Sequence, residues 1–262
     1  MKKLFLALLL TMAVFSFAVA AEQIKETPAS IYAKIIDKSY IDKYKSIIID
    51  KELTSTHLPN GMSVKSKTYF SGNKFREETT TNDPSGQAIN IITIFTSSNT
   101  YISYNQGESF FALGASLIEE ISSNIKNIDP LTSQAVLNEK TETVNGSECY
   151  FIEDNGGGVS RKFYVETKTY HVLKSIISTD EMLIVTDMSD YRKVDKYTGP
   201  STMKILIRQK TGEKQTIEST IKISSIQFNP SINNGIFIPK NVSDLPNIPG
   251  LGNIKDMIQS LF

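Results

Sequence analysis

Hydrophobic residues follow three different spacings along this chain, and the first is a continuous run. Residues 4–19 are uncharged and almost all apolar, they follow two lysines, and a small-x-small triplet ends the run at 18–20. A basic start, a short apolar stretch and such a triplet are typical of a secretory signal peptide. The run is also shorter than the roughly 20 residues that a membrane-spanning helix needs. We therefore predict that residues 1–20 are removed by cleavage before Ala21, with an uncleaved anchor as the alternative.

The second spacing is that of an amphipathic helix over residues 28–45. Thr27 is a suitable N-cap, and Pro28 suits the first helical position because an N–H there would have no helical partner. Apolar residues then recur every three or four positions, which places them on one stripe. The stripe consists of Ile31, Tyr32, Ile35, Ile36, Tyr40 and Tyr44. We expect this helix to cover an apolar surface.

From Ile47 onward the spacing becomes that of β-strands. Short runs of β-branched and aromatic residues, such as 182–186, are separated by turn signals, such as Asn-Gly at 145–146. Connections this short suit antiparallel neighbours, since parallel strands need long crossovers. The pattern continues to about Phe237, with 196–200 interpreted as a loop. The sequence therefore predicts one domain built from consecutive antiparallel strands.

A second helix interrupts the strand pattern at residues 114–125. Ser116 and Glu119 have the spacing of a capping box at its start. Leu117 and Ile121 belong to its apolar face. We expect this helix, like the first, to cover the sheet.

The end of the chain, 240–262, has a different character. A stretch with two prolines and a glycine leads into a short apolar segment. Its apolar residues are Leu251, Ile254, Met257, Ile258, Leu261 and Phe262. A helix this short gains little stability by itself, so we expect the segment to dock onto another surface.

Together these elements predict a mainly β, α+β fold in which helices cover a single antiparallel sheet. We divide the chain into the signal peptide 1–20, one domain over 21–239 and the apolar tail 240–262. A curved sheet rich in Ile, Phe and Tyr either encloses a solid core or leaves an apolar cavity. Periodicity does not distinguish these two alternatives.

Charge and cysteine content narrow the function classes. Without residues 1–20, which contain two lysines and no acid, the chain has 26 basic and 28 acidic residues. This balance does not favour nucleic-acid binding, which normally shows as a concentrated basic surface. Cys149 is the only cysteine of the sequence. It lies far from the cleavage point, so it is not a lipid-anchor site. Because an internal disulfide needs two cysteines, it does not form one either.

Motifs for catalysis or cofactor binding are absent from the sequence. It contains no Gly-x-Ser-x-Gly, His-Glu-x-x-His, Cys-x-x-Cys or Gly-Lys-[Ser/Thr] motif. Its two histidines, His57 and His171, are interpreted as surface or packing residues, and Cys149 as a small core residue. We therefore expect a protein that is not an enzyme and that uses neither a metal nor a cofactor.

Several short segments occur in an order that has a counterpart in a known family. They are Gly72-Asn73-Lys74-Phe75-Arg76-Glu77, residues 96–105, residues 144–150, Asp190-Tyr191, Gly199-Pro200 and Phe237-Ile238-Pro239. In this order they resemble the LolA-type outer-membrane lipoprotein carriers and their lipoprotein-sorting relatives, over about residues 47–239. The chain departs from that family in lacking tryptophan, in having Gln106 where proline is common, and in its additional tail.

The resemblance implies an unclosed antiparallel barrel whose concave apolar face is covered by helices and receives acyl chains. In these carriers an arginine on an early strand bonds to the lid, and Arg76 is the matching position; an ordinary surface arginine is the alternative. Apolar residues of the three helical segments are our candidates for the cavity or its plug. They are Ile35, Ile36, Leu117, Ile121, Ile254 and Ile258.

On this basis we predict a periplasmic carrier that binds the acyl chains of lipoproteins or lipids for transfer towards the outer membrane. Its partners would be those acyl chains and the inner- and outer-membrane proteins that supply and receive them. The alternative is a periplasmic sensor or interaction module of the same fold that binds a polypeptide or lipid signal. Acyl chains in the purified protein would favour the carrier, and a stoichiometric protein partner would favour the sensor.

Overall fold

The computed structural model describes residues 26–39, 44–58, 62–82, 86–96, 99–104, 107–112, 131–212 and 215–244. The predicted signal peptide, the helix predicted over 114–125 and the tail beyond Asp244 lie outside these residues. Within the described ranges, no helix is long and apolar enough to cross a membrane.

The first helix, α1, is Pro28–Ser39 and begins where the sequence predicts. The Thr27 Oγ1 accepts a hydrogen bond from the Ser30 N–H at 3.1 Å, and the Ser30 Oγ accepts one from the Thr27 N–H at 2.8 Å. This reciprocal pair satisfies two N–H groups at the helix start, as a capping box does. The predicted N-cap is therefore confirmed.

The predicted continuation of this helix to Lys45 is wrong. Tyr44 and Lys45 are not helical. The Tyr44 ring stacks on Phe228 with the centroids 3.8 Å apart, and the Lys45 N–H donates a hydrogen bond to the Asn229 Oδ1 at 2.9 Å. These contacts with the end of a distant strand replace helical ones and lead the chain into the sheet.

Fifteen strands follow in the described part of the chain. They are β1 (Ser46–Ser55), β2 (Val64–Ser71), β3 (Lys74–Asn82), β4 (Ala88–Phe95), β5 (Thr100–Ser103), β6 (Phe110–Ala112), β7 (Val136–Leu137), β8 (Glu142–Val144), β9 (Ser147–Gly156), β10 (Val159–Glu166), β11 (Val172–Ser178), β12 (Met182–Val194), β13 (Tyr197–Gln209), β14 (Thr216–Phe228) and β15 (Val242–Asp244). A short 3₁₀ helix, Asn234–Phe237, lies between β14 and β15.

These strands form one sheet in the order β15-β6-β5-β4-β3-β2-β1-β14-β13-β12-β11-β10-β9-β7, and β8 also pairs with β9. Neighbours are antiparallel as predicted, except that β15 pairs in parallel with β6. β15 can pair in parallel because no hairpin joins it to β6. The chain reaches the β6 edge of the sheet only after β14 and the 3₁₀ helix. The prediction of a mainly β fold with one large unclosed sheet is confirmed. Coverage of a concave face by two helices stays a prediction.

Tight hairpins explain where most strands end. Asn145-Gly146 forms the predicted turn between β8 and β9, with φ values of 51° and 82°, as a type I′ turn requires. The prediction of a loop over 196–200 is wrong, because β13 already begins at Tyr197, which pairs with Val194 of β12. The turn is confined to the two residues between them, and Pro200 lies within the strand.

Buried residues form two clusters, one in each half of the sheet. The first contains Ile92, Ile94 and Phe110 from β4 and β6. The second contains Ile31 and Ile35 from α1 with Ile152 and Val165 from β9 and β10. The amphipathic helix thus covers apolar residues of the sheet, as its pattern predicts.

Candidate functional site

A cavity of about 230 Å³ lies between α1 and strands β9 to β13, and its walls are almost entirely apolar. The helix contributes Tyr32, Ile35 and Lys38. The strands contribute Ile152, Phe163, Val172, Ser175, Met188, Tyr191, Thr198 and Pro200. Leu131, Tyr170 and His171 complete the lining.

The size of this cavity limits what it can hold. It is larger than an apolar cavity of about 150 Å³ that binds benzene. It is smaller than the roughly 300–1,000 Å³ typical of pockets for drug-sized ligands. The space therefore suits one narrow apolar group such as a single hydrocarbon chain.

Strand register explains why the cavity forms here. Ile152 lies opposite Phe163, and Phe163 lies opposite Ser175. Directly opposed residues point to the same face of a sheet. Ser175 is much smaller than Ile152 and Phe163 of the same row, so the sheet surface is recessed beneath α1.

The apolar surface continues beyond the cavity along one cross-strand row. Met188, which lines the cavity, starts this row on β12. Successive opposed residues are Met203, Ile221, Leu53 and Val64. All five are half-buried. This Met188–Val64 row extends the apolar face from β12 to β2.

Polar contacts around Tyr170 hold α1 above the cavity. Lys34 pairs with Glu26, and its Nζ donates a hydrogen bond to the Tyr170 Oη at 2.9 Å. The Tyr170 Oη in turn donates to Glu26 at 2.9 Å, and the Lys38 Nζ donates to the Thr169 carbonyl. The hydrogen bond from Lys34 lowers the pKa of Glu26 to about 2. We call Glu26, Lys34, Lys38, Thr169 and Tyr170 the Tyr170 clasp.

His171 and Tyr191 form a stacked pair in the cavity wall. Their rings are nearly parallel, with centroids 3.9 Å apart, and the Tyr191 Oη donates to the Val172 carbonyl at 2.6 Å. Burial lowers the pKa of His171, and the positive charge of Lys38 lowers it further, while Glu166 opposes both.

A buried carboxylate fixes the part of the wall next to Leu131. Asp154 is fully buried, accepts a hydrogen bond from the Thr132 N–H at 3.1 Å and pairs with the Arg161 guanidinium at 2.8 Å. Burial alone would raise the pKa of Asp154, but the hydrogen bonds from Thr132 and the charge of Arg161 outweigh it and lower the pKa. Asp154 thus ties residue 132, and with it Leu131, to β9 and β10.

The predicted cavity residues have different outcomes. Ile35 is buried and lines the cavity, whereas Ile36 is half-buried and is not part of the lining. The other four candidates lie outside the described residues, and their role stays a prediction. They are Leu117, Ile121, Ile254 and Ile258.

Arg76 lies in the other half of the sheet, on β3. Its Nη1 donates a hydrogen bond to the Ile236 carbonyl at 2.7 Å, and its Nε pairs with Glu78 at 2.8 Å. Arg76 thus attaches the 3₁₀ helix to β3. The role of Arg76 in closing a lid stays a prediction.

Apart from Ile35, sequence patterns did not identify the residues that define this cavity. Strand alternation gives Phe163 and Val165 the same side of β10, but it does not show that α1 covers that side. Nothing in the spacing distinguishes Ser175 from serines on the exposed face. Tyr170 gives a weak signal as the aromatic residue of a turn, and its clasp role follows only from the position of α1.

The described residues offer few groups for chemistry other than binding. Within them, no group of three or more His, Cys, Asp or Glu side chains is placed to hold a metal ion. Cys149 is buried, as predicted, and burial raises the pKa of its thiol. His57 is exposed, which agrees with its interpretation as a surface residue.

Comparison with known proteins gives similarity in structure only. No family model and no curated protein matches the chain. A LolA superfamily protein from Nitrosomonas europaea is similar over 81% of this chain and 98% of its own, with 10% identity and a TM-score of 0.46. The lipoprotein LppX from Mycobacterium tuberculosis is similar over 79% of this chain and 98% of its own, with 12% identity and a TM-score of 0.32.

The first of these structures belongs to the superfamily that the sequence resembles. With identities of 10–12% and TM-scores below 0.5, these similarities do not decide the function. The cavity, its covering helix and the Met188–Val64 row are the features from which function can be argued.

Proposed function

We propose that this protein binds the acyl chains of a lipid or lipoprotein in the cavity under α1 and carries them through the periplasm towards the outer membrane. The observation that supports this most directly is an apolar cavity covered on one side by an amphipathic helix. Removing a hydrocarbon chain from water contributes about 0.8 kcal/mol for each buried methylene. The proposed role is binding and transfer, without catalysis, a cofactor or a metal.

The attachment of α1 is suited to a helix that moves when cargo enters or leaves. Its apolar contacts with the sheet centre on two buried residues, Ile31 and Ile35. The Lys34–Glu26 pair of the Tyr170 clasp is partly exposed, and exposed ion pairs typically contribute about 0–1 kcal/mol. Displacing the helix therefore breaks few strong contacts. The apolar surface of the cargo then takes over the contacts that the two isoleucines made with the sheet.

Cargo larger than one chain requires more surface than the cavity provides. The cavity of about 230 Å³ suits one narrow chain, whereas a lipid with several acyl chains needs additional apolar contacts. The Met188–Val64 row supplies them on the same face of the sheet. We propose that further chains lie along this row.

Mass spectrometry of an organic extract of the purified protein tests the proposal first. Acyl chains bound in stoichiometric amount are the expected result. Absence of acyl chains together with a stoichiometric co-purifying protein would contradict the carrier role and favour the sensor or interaction module.

A pair of matched substitutions on β11 then tests the location of binding. Ser175→Phe fills the cavity and is expected to reduce the affinity for a fluorescent fatty acid at least tenfold, a change of about 1.4 kcal/mol. Ser178→Phe places the same ring on the opposite face of β11 and should leave that affinity unchanged. Circular dichroism and thermal unfolding identify any loss of folding. Equal affinities of two folded variants would place binding elsewhere.

A further inference from the structure

In the described part of the chain, the cavity lining contains basic side chains but no acidic ones. Apart from its tyrosines, the cavity lining contributed by the described residues contains two ionisable groups, Lys38 and His171. No carboxylate belongs to that lining. A purely apolar ligand has no use for a lysine in the wall, and a cationic ligand would be repelled by it.

Lys38 extends from α1 towards the turn that carries His171. Its Nζ donates to the Thr169 carbonyl and lies 5.3 Å from the centroid of the Tyr170 ring. An ammonium group has three donors, so this carbonyl occupies one of them. The charged end of Lys38 and the ring of His171 therefore lie at the same side of an otherwise apolar space.

The acidic groups nearest to this position already have partners. Glu166, at the end of β10, accepts hydrogen bonds from Ser147 at 2.7 Å and from Thr169. Glu26 accepts from Lys34 and Tyr170 in the clasp. Neither carboxylate lines the cavity, so neither takes the place of an anion between Lys38 and His171.

We propose that the cavity binds a single-chain amphiphile with an anionic head, a carboxylate or a monoester phosphate. The chain lies against Ile152, Phe163 and Val172, and the head lies between Lys38 and His171. This inference rests on the proposed function and specifies its ligand class. The cavity volume of about 230 Å³ supports one chain, because pockets for larger ligands begin at roughly 300 Å³.

The first test compares amphiphiles that share a ten-carbon chain and differ in the head group. Decanoate, decyl phosphate, decanol and decyltrimethylammonium are titrated into the full protein by calorimetry. Both anions are expected to bind at least about tenfold more tightly than decanol, the low end for a hydrogen bond to a charged group. The cation should bind most weakly. A preference for only one anion identifies whether a carboxylate or a phosphate is the natural head.

Two lysines on the same helix provide a matched pair of variants. Lys38→Met is expected to abolish the preference for both anions over decanol, whether or not the loss of its contact with Thr169 weakens all ligands equally. Lys34→Met, one turn earlier and outside the cavity lining, should keep the preference for anions even if it weakens all ligands equally. Lys38→Arg should also keep it, which distinguishes loss of charge from loss of folding.

The histidines provide a direct readout of the head position. The chain contains only His57 and His171, so NMR has to distinguish the His171 imidazole from just one other histidine. His171 faces Lys38 from α1, Glu166 from β10 and Tyr191 from β12. A bound anion should raise the pKa of His171, whereas decanol should leave it unchanged.

Two outcomes separate this inference from the proposed function. Equal binding of decanol and the anions, with no change in the His171 pKa, would overturn the anionic head while leaving acyl binding intact. Failure of all four amphiphiles to bind would overturn both.

Discussion

At the scale of single residues, Glu26 makes the attachment of α1 dependent on pH. Its pKa is lowered from 4.5 to about 2 by Lys34, Ser30 and Tyr170, so its ionised form stabilises the docked helix. A lowered pKa contributes stability that is complete above pH 4.5 and is lost as the pH falls towards 2. The helix should therefore stay docked from pH 5 to 8 and loosen in acid.

NMR of the Ile31 and Ile35 methyl groups between pH 7 and pH 2 checks this prediction. Their resonances should move towards those of exposed isoleucines only below about pH 4.5. Glu26→Gln removes the titrating group, so its methyl resonances should lose this pH-dependent step. Identical profiles for the variant and the wild type would assign the acid transition to another carboxylate.

Asp154, which holds residue 132 next to the cavity wall, is a residue whose substitution should strongly reduce stability. Asp154→Asn removes the ion pair with the largely buried Arg161, and breaking such a pair typically costs about 3–5 kcal/mol. The neighbouring variant Glu153→Gln is a suitable control. Glu153 pairs with Lys162 at 2.6 Å in an exposed position, so its loss should cost at most about 1 kcal/mol.

Urea unfolding of the two variants measures the difference. A loss of free energy of unfolding in Asp154→Asn no greater than in Glu153→Gln would show that the buried pair is not a major stabilising contact. This role was not predictable from the sequence, because Asp154 is an acidic residue among polar neighbours just before a Gly-rich turn, although it is a buried residue of β9. The burial of Cys149 was predictable, because it lies inside a β-rich run with apolar neighbours.

At the scale of elements, the sequence predicts what side-chain polarity determines and misses what the backbone determines. The alternating segment 182–186 marks the start of β12, but the strand extends to Val194. Its second half contains Ser189, Asp190 and Arg192, which read as turn residues. These residues lie in a long hairpin whose pairing with β13 continues on both sides of Asp190, at Ser189 and at Tyr191, regardless of side-chain polarity.

Helix α1 shows the same distinction at its two ends. Its start is encoded locally by Thr27 and Pro28, and the structure confirms it. At the other end, Tyr44 stacks on Phe228, which is distant in sequence. A contact of that kind leaves no local signal, so an apolar stripe alone made the predicted helix too long.

Arg76 links two elements, β3 and the 3₁₀ helix, and its substitution should loosen the attachment between them. Arg76→Leu removes the hydrogen bond to the Ile236 carbonyl and the pair with Glu78; one hydrogen bond to a charged group contributes about 1.5–3 kcal/mol. Amide exchange should increase over residues 234–244. If Arg76 also closes a lid, as the family resemblance implies, the variant should retain a fluorescent fatty acid but release it slowly.

The exposed strand residue Arg208 provides the control for this variant. Arg208→Leu should change neither amide exchange at 234–244 nor release. Normal release from Arg76→Leu with increased amide exchange would limit Arg76 to holding the 3₁₀ helix.

At the scale of the whole molecule, one pairing decides the architecture. Hairpin neighbours alone give two separate meanders, β1 to β6 and β9 to β14. The two become one sheet because β1 pairs with β14, for example Ile49 with Ile226. Both strands are β-rich in sequence, but no local feature identifies them as partners, and the Met188–Val64 row exists only because of this pairing.

The cavity is likewise a property of the whole molecule. It needs α1 from the beginning of the chain and β9 to β13 from its second half. The helix and the strands were each predictable from the sequence. Their contact was predicted only as a helix that covers the sheet, without the strands that it covers. The recess at Ser175 depends on the register of three strands, so sequence reasoning could not choose between a solid core and a cavity.

The apolar tail is the last prediction that belongs to this scale. The described chain ends with β15 at one edge of the sheet, whereas the cavity lies under β9 to β13, towards the other edge. The 18 residues 245–262 can extend to at most roughly 60 Å, about twice the diameter of a small domain. Their length therefore allows docking over the cavity.

Energetics also favour docking of this tail. Its apolar side chains each contribute roughly 1.5–3 kcal/mol on burial, before the cost of ordering the segment. Burial of four of them would be enough to compete with an acyl chain for the same surface. We therefore expect the tail to act as a plug that cargo displaces.

Deletion of residues 245–262 should then raise the affinity for a fluorescent fatty acid while circular dichroism shows an intact fold. Ile254→Ser combined with Ile258→Ser should raise it in the full-length chain as well, because it removes apolar contacts of the plug without shortening the protein. Competition predicts that the gain disappears when a synthetic peptide of the tail is added in excess. An unchanged affinity in a well-folded truncation would exclude the plug, and the apolar residues of the tail would then be better explained by docking onto a partner.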